Sequence, residues 1–463
     1  MPVRSPRRRR VVVGLVAAAV VLAGCGTRLD HNAVVAASSG IGGGQRGAGT
    51  GVTGDGSGTD QPAGTDTGVA GTPGNQAGVP GGVGGIVGGG TGGVAGVGGG
   101  GGPIVIGTVG DYSGPSGAAW VAGLRALQAW VSTVNAKGGI NGRKVQLLVY
   151  DDGSNGAKAR SQVQELVEQD HAVAVVDAMA TFTLGQWKDY VEQKKIPVIG
   201  GDCSNDAWNA SPVLFTQCNS INTYTYSVVA TGAKVFGRGK KFGALVCQET
   251  AGCAKAGDLW FNQGYAAQAG LNPVYLGKIS LGQPDFTSEC VQARNAGAEV
   301  MTVVADPNTV NRVAASCRRQ NYNPQFVLPG APATADTPQQ PGLEGMAVAM
   351  QTFPFIGLNT PAAAEFQQAW QRYSGGVANS GAASQGWAGA KLFEKVVLAA
   401  GGDVSPAGIM KALGALNNER LGGLTVPLTY PPGQPSPDFP CWFVMQAVNG
   451  RWTAPQGDRV DCR

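Results

Sequence analysis

The sequence predicts an α/β protein made of two lobes, each a doubly wound parallel sheet. Two observations carry this prediction. From residue 103 onwards, short apolar runs of strand length alternate with amphipathic stretches of helix length, which is typical of a parallel sheet covered by helices. The alternation starts again near Lys241, which indicates a second sheet and therefore a second lobe.

The elements follow in order along the chain. The first lobe is predicted from the strands Ile104–Ile106, Lys144–Tyr150, Val173–Val176 and Ile196–Ile199, with the helices Ala118–Asn135, Ala157–Gln169 and Gly185–Lys194. The second is predicted from the strands Phe242–Val246, Val274–Leu276, Val300–Val304 and Gln325–Leu328, with the helices Ala256–Ala269, Phe286–Ala296 and Thr309–Arg319. Ligands of open parallel sheets bind beyond the carboxyl ends of the strands, so a crevice between the lobes is the expected site.

The N-terminal 25 residues predict export and lipidation. Arg7–Arg10 form a basic segment, Val11–Val21 a short apolar one, and Leu22–Cys25 places small residues before a cysteine. This order is typical of a lipoprotein signal peptide at 1–24, with the lipid on Cys25. The apolar run is shorter than the roughly 20 residues that span a bilayer. We expect an extracytoplasmic protein, lipid-anchored to the outer face of the cell membrane; an ordinary signal peptide or an N-terminal anchor helix is the alternative, and the export route stays open.

Residues 25–102 are predicted to be a lipidated N-terminus followed by a disordered tether. From Ala36 to Gly102 the chain is mostly glycine, without helical or alternating apolar periodicity. Such a segment cannot bury enough surface to offset its ordering entropy. A glycine-rich coil of this length spans about 45 Å, which would hold a globular body away from the membrane.

The charge balance argues against nucleic acid as a partner. The whole chain carries a net charge of +4, and removing the five arginines of residues 1–24 leaves −1. No basic patch with interleaved aromatic residues occurs. No later apolar run is long enough to span a membrane, so the lipid is the only predicted membrane contact.

The nine cysteines suit an oxidising compartment, because eight remain once Cys25 is assigned to the lipid. They fall in couples close in sequence: Cys203 with Cys218, Cys247 with Cys253, Cys290 with Cys317, and Cys441 with Cys462. Eight cysteines allow about 105 connectivities, so neighbour pairing is a hypothesis. Zinc is the competing interpretation, but no C-x-x-C pair occurs and no metal is predicted.

Several segments resemble type I periplasmic binding proteins, and the stretch 134–144 with 150–152 resembles the branched-chain amino-acid-binding (leucine/isoleucine/valine) group. The segments that carry the likeness are Ile104–Gly107, Asp111–Pro115, Val134–Lys144, Tyr150–Asp152, Lys195–Gly200, Gly386–Leu392 and Gly422–Thr425. The resemblance implies two lobes joined by three crossings, near Asn219–Thr223, Gly345–Phe353 and Leu421–Val426. The lobes would then comprise 103–221 with 350–422, and 222–349 with 423–463.

The residue inventory argues against an enzyme. Triad hydrolysis and histidine-rich metal sites need a placed imidazole, and the chain has only His31, before the tether, and His171, at a predicted helix end. No G-x-S-x-G, P-loop or kinase motif occurs. Asp151 and Asp152 are adjacent at a strand end and point to opposite faces, so they make a poor acid–base pair. No catalytic residue and no cofactor is predicted.

The resemblance implies ligand contacts in the first lobe. The loop after the third strand offers Thr181 before a helix whose N-terminal amides favour an anion; helix capping is its alternative role. The loop after the fourth strand offers Asp202 and Ser204. Tyr112, Ser113 and Trp120 lie near the first loop, and Trp120 could equally belong to the helix core.

In the second lobe, Asp306 stands at the family's aromatic ligand position and could hold an amino group, or cap the following helix. The acid that usually receives the ligand amine is missing, because the chain reads Pro329-Gly330-Ala331. Cys247 and Cys253 bracket a loop that we expect at the rim of the cleft.

The expected function is the solute-binding subunit of an ABC importer, a monomer that works with a separate permease and its ATPase. It would close on a small polar ligand, an amino acid or an amide-like solute. The alternatives are a ligand-sensing surface lipoprotein of the same fold, a polyol or sugar binder, and a structural or adhesive wall lipoprotein.

Overall fold

The computed structural model describes residues 101–114 and 117–463. The predicted signal peptide, the lipidated Cys25 and the predicted tether as far as residue 100 lie outside the described residues. Within the described part of the chain, no helix is long and apolar enough to cross a membrane.

The first lobe contains a five-stranded parallel sheet in the order β2-β1-β3-β4-β5. Its strands are β1 (Ile104–Gly110), β2 (Val145–Asp151), β3 (Ala174–Ala178), β4 (Val198–Gly201) and β5 (Leu214–Phe215). The helices between them are α1 (Gly117–Ala136), α2 (Gly156–Glu168) and α3 (Leu184–Lys194). β1 and β3 are buried on both faces, which explains their mostly apolar sequences.

The second lobe contains an eight-stranded mixed sheet, with the main path β12-β11-β10-β9-β8-β6-β7 and β13 paired to β11. Its parallel part comprises β6 (Lys241–Cys247), β7 (Asn272–Ile279), β8 (Val300–Val304), β9 (Gln325–Pro329) and β10 (Ala347–Met350). The antiparallel strands are β11 (Cys441–Val448), β12 (Arg451–Thr453) and β13 (Asp461–Cys462). The helices are α4 (Ile221–Phe236), α5 (Ala251–Phe261), α6 (Tyr265–Ala269), α7 (Thr287–Asn295) and α8 (Pro307–Arg319).

The chain then returns to the first lobe. The helices α9 (Pro361–Tyr373), α10 (Gly381–Ala400) and α11 (Pro406–Leu413) follow β10, and α10 packs on α1 and β4. The chain therefore passes between the lobes three times: between β5 and α4, between β10 and α9, and between α11 and β11. The predicted fold class, two lobes built on parallel sheets, is confirmed.

One predicted helix is wrong in its extent. The stretch Ala256–Ala269 is predicted as a single helix, but α5 ends at Phe261 and α6 starts at Tyr265. Gly264 lies between them with φ of +75°, a left-handed conformation that an α-helix cannot contain. The helical periodicity continues through this break, so the apolar pattern alone does not reveal it.

The eight cysteines of the described residues form four disulfides between sequence neighbours. The bonds are Cys203–Cys218, Cys247–Cys253, Cys290–Cys317 and Cys441–Cys462. These are the couples that the sequence favours. By the chain-entropy model, loops of this size contribute at most about 3 kcal/mol each.

The buried end of β3 carries an unpaired carboxyl group. Asp177 is fully buried, and neither of its carboxyl oxygens has a hydrogen-bond partner among the described residues. Burial raises the pKa of Asp177 well above its usual value. A group whose pKa is raised by folding destabilises the folded state at every pH above its unfolded pKa.

We therefore expect Asp177→Asn to raise the free energy of unfolding by about 1–2 kcal/mol at pH 7.5, since one pKa unit corresponds to about 1.4 kcal/mol. An asparagine side chain has nearly the same shape as aspartate, and asparagine tolerates the left-handed φ of +54° at this position. The gain should shrink towards zero near pH 4, where the unfolded aspartate is itself half protonated. Urea unfolding at both pH values measures this, and an equal gain at both would contradict it.

Candidate functional site

A cavity lies between the two lobes, at the carboxyl ends of their parallel strands. It encloses about 690 Å³ of empty space, including the part open to solvent. Its wall comes from both lobes and consists of Ala119, Trp120, Thr181, Ser204, Ile221, Tyr224, Cys247, Thr250, Gly252, Cys253, Ala256, Leu281, Val304, Ala305, Asp306, Pro329, Ala331 and Pro332. A cleft between two lobes is a common place for a small-molecule site.

The first lobe contributes Trp120, Thr181 and Ser204, three of the predicted site residues. Trp120 is 5% exposed, and its Nε1 has no hydrogen-bond partner among the described residues. Thr181 Oγ1 is also buried, next to Asp202, and its hydroxyl lowers the pKa of that carboxyl. Ser204 Oγ donates to Asp202, at 2.7 Å from Oδ1. Trp120 therefore holds a donor that a ligand could satisfy.

Asp202 lies behind this wall and does not line the cavity. Its Oδ1 accepts from the backbone N–H of Ser204 at 2.9 Å, and its backbone carbonyl accepts from Trp208 Nε1. Burial raises the pKa of Asp202, against the hydrogen bonding of Ser204 and the neighbouring Thr181, which lowers it. Its contacts shape the loop after β4, so it reaches the cavity through Ser204 and Thr181.

Tyr112 and Ser113 also lie off the cavity wall. Tyr112 Oη is 3.0 Å from Thr108 Oγ1, inside the first lobe, and the Ser113 hydroxyl donates to Asp151. Asp151 Oδ1 also accepts from the Tyr112 amide at 2.9 Å. The structure thus gives both predicted residues a role in fixing the loop between β1 and α1.

Asp152 has different partners from its neighbour. It accepts from Thr183 Oγ1 at 2.6 Å and from the Ser154 amide at 2.7 Å. Burial raises the pKa of Asp152 to about 6, with the Thr183 bond opposing the shift. This arrangement ties β2 to the start of α3.

Asp306 is the predicted site residue of the second lobe, and it both lines the cavity and caps α8. Its Oδ1 accepts from the amides of Asn308 at 2.9 Å and Thr309 at 3.2 Å, and Thr309 Oγ1 donates to Oδ2. Three of its hydrogen-bonding sites are thus occupied within the protein. It is the one acidic side chain of the described wall, which holds no basic side chain.

The wall at the end of β9 contains no acid. Pro329, Ala331 and Pro332 face the cavity here, as the sequence indicates. The segment is held against the start of α10, because the Gly381 amide donates to the Ala333 carbonyl at 3.0 Å. A ligand amine would find only apolar atoms and backbone at this place.

The Cys247–Cys253 disulfide forms part of the wall, with the first turn of α5 between its ends. Thr250 caps α5 by accepting from the Cys253 amide at 3.0 Å. A Cβ atom placed on Gly252 would lie 3.0 Å from the carbonyl oxygen of Ser204, in the other lobe. The two lobes therefore approach each other here at backbone contact.

Tyr224 and Ile221 line the cavity, although the sequence analysis does not select them. Both lie in the first turn of α4, just after the first crossing, and their spacing of three residues places them on one helix face. Tyr224 is buried, and burial first, then the charge of Asp202, raises its pKa. The sequence signal that could have identified both residues is Ser220, which caps the start of this helix and so places its first turn beside the cleft.

The comparisons with known proteins agree with this architecture. A 25% identical relative, an amino acid binding protein from Pseudomonas aeruginosa, aligns over 202 residues, 43% of this chain and 52% of the relative, so the chain spans about half the length of that relative. A branched chain amino acid ABC transporter protein from Thermus thermophilus, solved with bound valine, superposes with a TM-score of 0.67 at 15% identity, covering 77% of this chain and 96% of that one.

A fatty acid ABC transporter substrate-binding protein from Thermomonospora curvata superposes with a TM-score of 0.64 at 19% identity, covering 76% of this chain and 91% of that one. These likenesses show the fold. The family model described as periplasmic binding protein matches residues 103–450, most of the chain. That family consists of binding proteins, which agrees with the prediction that the chain is not an enzyme. The chain belongs to the periplasmic binding protein family.

Proposed function

We propose that this protein is the solute-binding subunit of an ABC importer, held outside the cell by a lipid on Cys25. The observation that carries the proposal is the cavity, whose wall is divided between two lobes that three chain crossings connect. A site divided in this way can open to admit a small solute and close to bury it. Transport energy would come from a separate ATPase, working with the permease on which the closed protein docks.

Contacts between the lobes support closure. Lys255 Nζ of α5 lies 2.7 Å from Asp206 Oδ2, in the loop after β4 of the first lobe. Together with the approach of Gly252 to Ser204, this ion pair joins the two sides of the cleft mouth. Both contacts would separate when the cleft opens, so they belong to the closed form.

The proposal is tested by adding defined pools of amino acids, amides, sugars and polyols to the purified protein. We expect one pool to raise the melting temperature, because a solute that binds only the folded state stabilises it. The same pool should reduce the radius of gyration in small-angle scattering. Co-purification of a permease with the lipidated protein would support the importer assignment, and loss of membrane association in Cys25→Ser would support the anchor. No stabilisation by any pool would overturn the proposal.

We expect Asp206→Asn to weaken solute binding by about twofold to fivefold in low salt. The side chains are partly exposed, 57% for Asp206 and 35% for Lys255. The ion pair therefore stabilises the closed form by at most about 1 kcal/mol, and salt screens it. Calorimetry in 20 mM and 500 mM salt measures this. Asp258→Asn, on α5 with Lys255 and outside the cavity wall, is the control. An effect that persists unchanged in high salt would contradict an electrostatic contact.

A further inference from the structure

The wall of the cavity is mostly apolar. Alanine, valine, leucine, isoleucine and proline side chains form most of it, together with the Cys247–Cys253 disulfide. A solute that fills this space must bury mainly carbon atoms against it, since burying an unpaired polar group is unfavourable. The polar part of the solute must therefore be small and must meet the few polar groups of the wall.

The uncommitted polar groups of the wall are hydrogen-bond donors. Trp120 Nε1 can only donate, and it is buried without a partner among the described residues. Tyr224 lines the same cavity, and its hydroxyl makes no hydrogen bond to the described residues. Because Trp120 belongs to α1 and Tyr224 to α4, an acceptor placed between them would bridge the two lobes.

The charges around the cavity disfavour an anion. Asp306 lines the wall, Asp202 lies directly behind it, and no basic side chain is among the described wall residues. Arg312 on α8 is not among the wall residues; its Nη2 donates to the Leu281 carbonyl and to Thr309 Oγ1, each at 2.8 Å, and its Nε is buried without a partner among the described residues. Lys255 is paired with Asp206 at the mouth. A carboxylate inside would thus face two acids without a compensating cation.

The charges also disfavour an ammonium group. Asp306 is the one acid in the described wall, and three of its hydrogen-bonding sites already serve α8 and Thr309. Asp202, behind the wall, already accepts from the amide and the hydroxyl of Ser204. The β9 end of the wall offers Pro329, Ala331 and Pro332 instead of an acid. A buried ion needs both a charge partner and hydrogen bonds, and this wall provides too few.

We propose that the cleft selects an uncharged, mostly apolar solute with a hydrogen-bond-accepting carbonyl group, such as a carboxamide, over an amino acid or a free carboxylate. The carbonyl oxygen accepts from Trp120 Nε1 and the Tyr224 hydroxyl, and the apolar body packs on the remaining wall. This inference rests on the proposed solute-binding function and selects the amide-like solute over the amino acid, the two classes that the sequence analysis expects.

The test uses compounds that share one skeleton and differ in charge. Leucine, 4-methylpentanoate and 4-methylpentanamide form one set, and phenylalanine, 3-phenylpropanoate and 3-phenylpropanamide form a larger one. Calorimetry at pH 7.5 should show the amide of at least one set binding at least tenfold more tightly than its acid and its amino acid. Tighter binding of the amino acid or the carboxylate would overturn the inference, as would failure of both amides to bind.

Two variants test the assigned donors. Tyr224→Phe removes one donor at nearly constant shape, Trp120→Phe removes the other together with part of the ring system, and each should weaken amide binding about threefold to tenfold. Tyr226→Phe is the matched control, because Tyr226 lies on the same helix and packs against Tyr265 and Trp442 instead of the cavity. Unchanged affinity in both Tyr224→Phe and Trp120→Phe, with unchanged melting temperature, would overturn the assignment.

Failure of this inference and failure of the proposed function give different results. If the amides do not bind but a pool of amino acids, sugars or polyols stabilises the protein and closes it, the solute class is wrong and the binding function stands. If neither the amides nor any pool produces stabilisation, both are wrong.

Discussion

Replacing Gly386 with alanine is expected to lower the free energy of unfolding by about 2–3 kcal/mol. Gly386 lies in α10 where this helix crosses α1, and a Cβ atom there would stand 2.3 Å from the carbonyl oxygen of Gly123. The opposing atoms are backbone, so they cannot turn away as a flexible side chain would. The helices must separate, and overpacking of this kind outweighs the roughly 1 kcal/mol that alanine gains in helix propensity.

Gly185→Ala is the matched control for this prediction. Gly185 lies in α3 of the same lobe, is exposed, and an added Cβ would meet no atom within 4 Å. Alanine there should leave stability unchanged or raise it by up to about 1 kcal/mol. Urea unfolding, followed by tryptophan fluorescence, compares the two variants. If Gly386→Ala were as stable as Gly185→Ala, the backbone contact between α1 and α10 would not constrain the lobe.

Replacing Gly252 with leucine is expected to weaken solute binding at least tenfold while leaving the unliganded fold intact. Gly252 is the second residue of α5, and its neighbour across the cleft is the Ser204 carbonyl of the other lobe. Because the two lobes can move apart, the steric clash of a larger side chain with Ser204 is relieved when the cleft opens, and the lobes do not need to unfold. If the free energy of cleft closure becomes less favourable by about 1.4 kcal/mol, the affinity for the solute falls tenfold.

A size series separates this effect from a general one. Gly252→Ala should weaken binding slightly, since its Cβ would crowd the Ser204 carbonyl oxygen at 3.0 Å and a small movement of the lobes relieves this, and Gly252→Leu should weaken binding strongly. Gly185→Leu, at the second residue of α3, is the control for a leucine in the first turn of a helix. Affinity is measured for whichever solute binds the wild type, and closure by small-angle scattering. Closure of Gly252→Leu to the wild-type radius of gyration would contradict the prediction.

The sequence predicted the parallel-sheet elements well because their signals are local. β1 and β3 are mostly apolar, and α3 ends at the predicted Lys194 because Lys195 adopts a left-handed conformation there. The sequence did not predict the antiparallel strands β11, β12 and β13 or the break at Gly264. A strand that joins a distant sheet carries no local sign of its partner, and a helical apolar pattern can continue through a break.

The candidate site was predicted in part. Trp120, Thr181, Ser204 and Asp306 line the cavity, whereas Tyr112, Ser113 and Asp202 lie behind it or away from it. Chain order placed all seven near strand ends but did not decide which side chains face the other lobe. Tyr224 was missed because α4 belongs to the cleft only through the crossing that precedes it.

The sequence by itself determined the two-lobe α/β class and favoured the neighbour pairing of the cysteines, because periodicity and short spacing are properties of neighbouring residues. It also determined that no acid follows β9. Only the tertiary structure decided that Trp120 and Tyr224 face one cavity without partners, and that Asp306 is occupied by α8. Those facts depend on how two separately folded sheets meet, since the free hydrogen-bonding capacity of a side chain is set by residues far away in the chain.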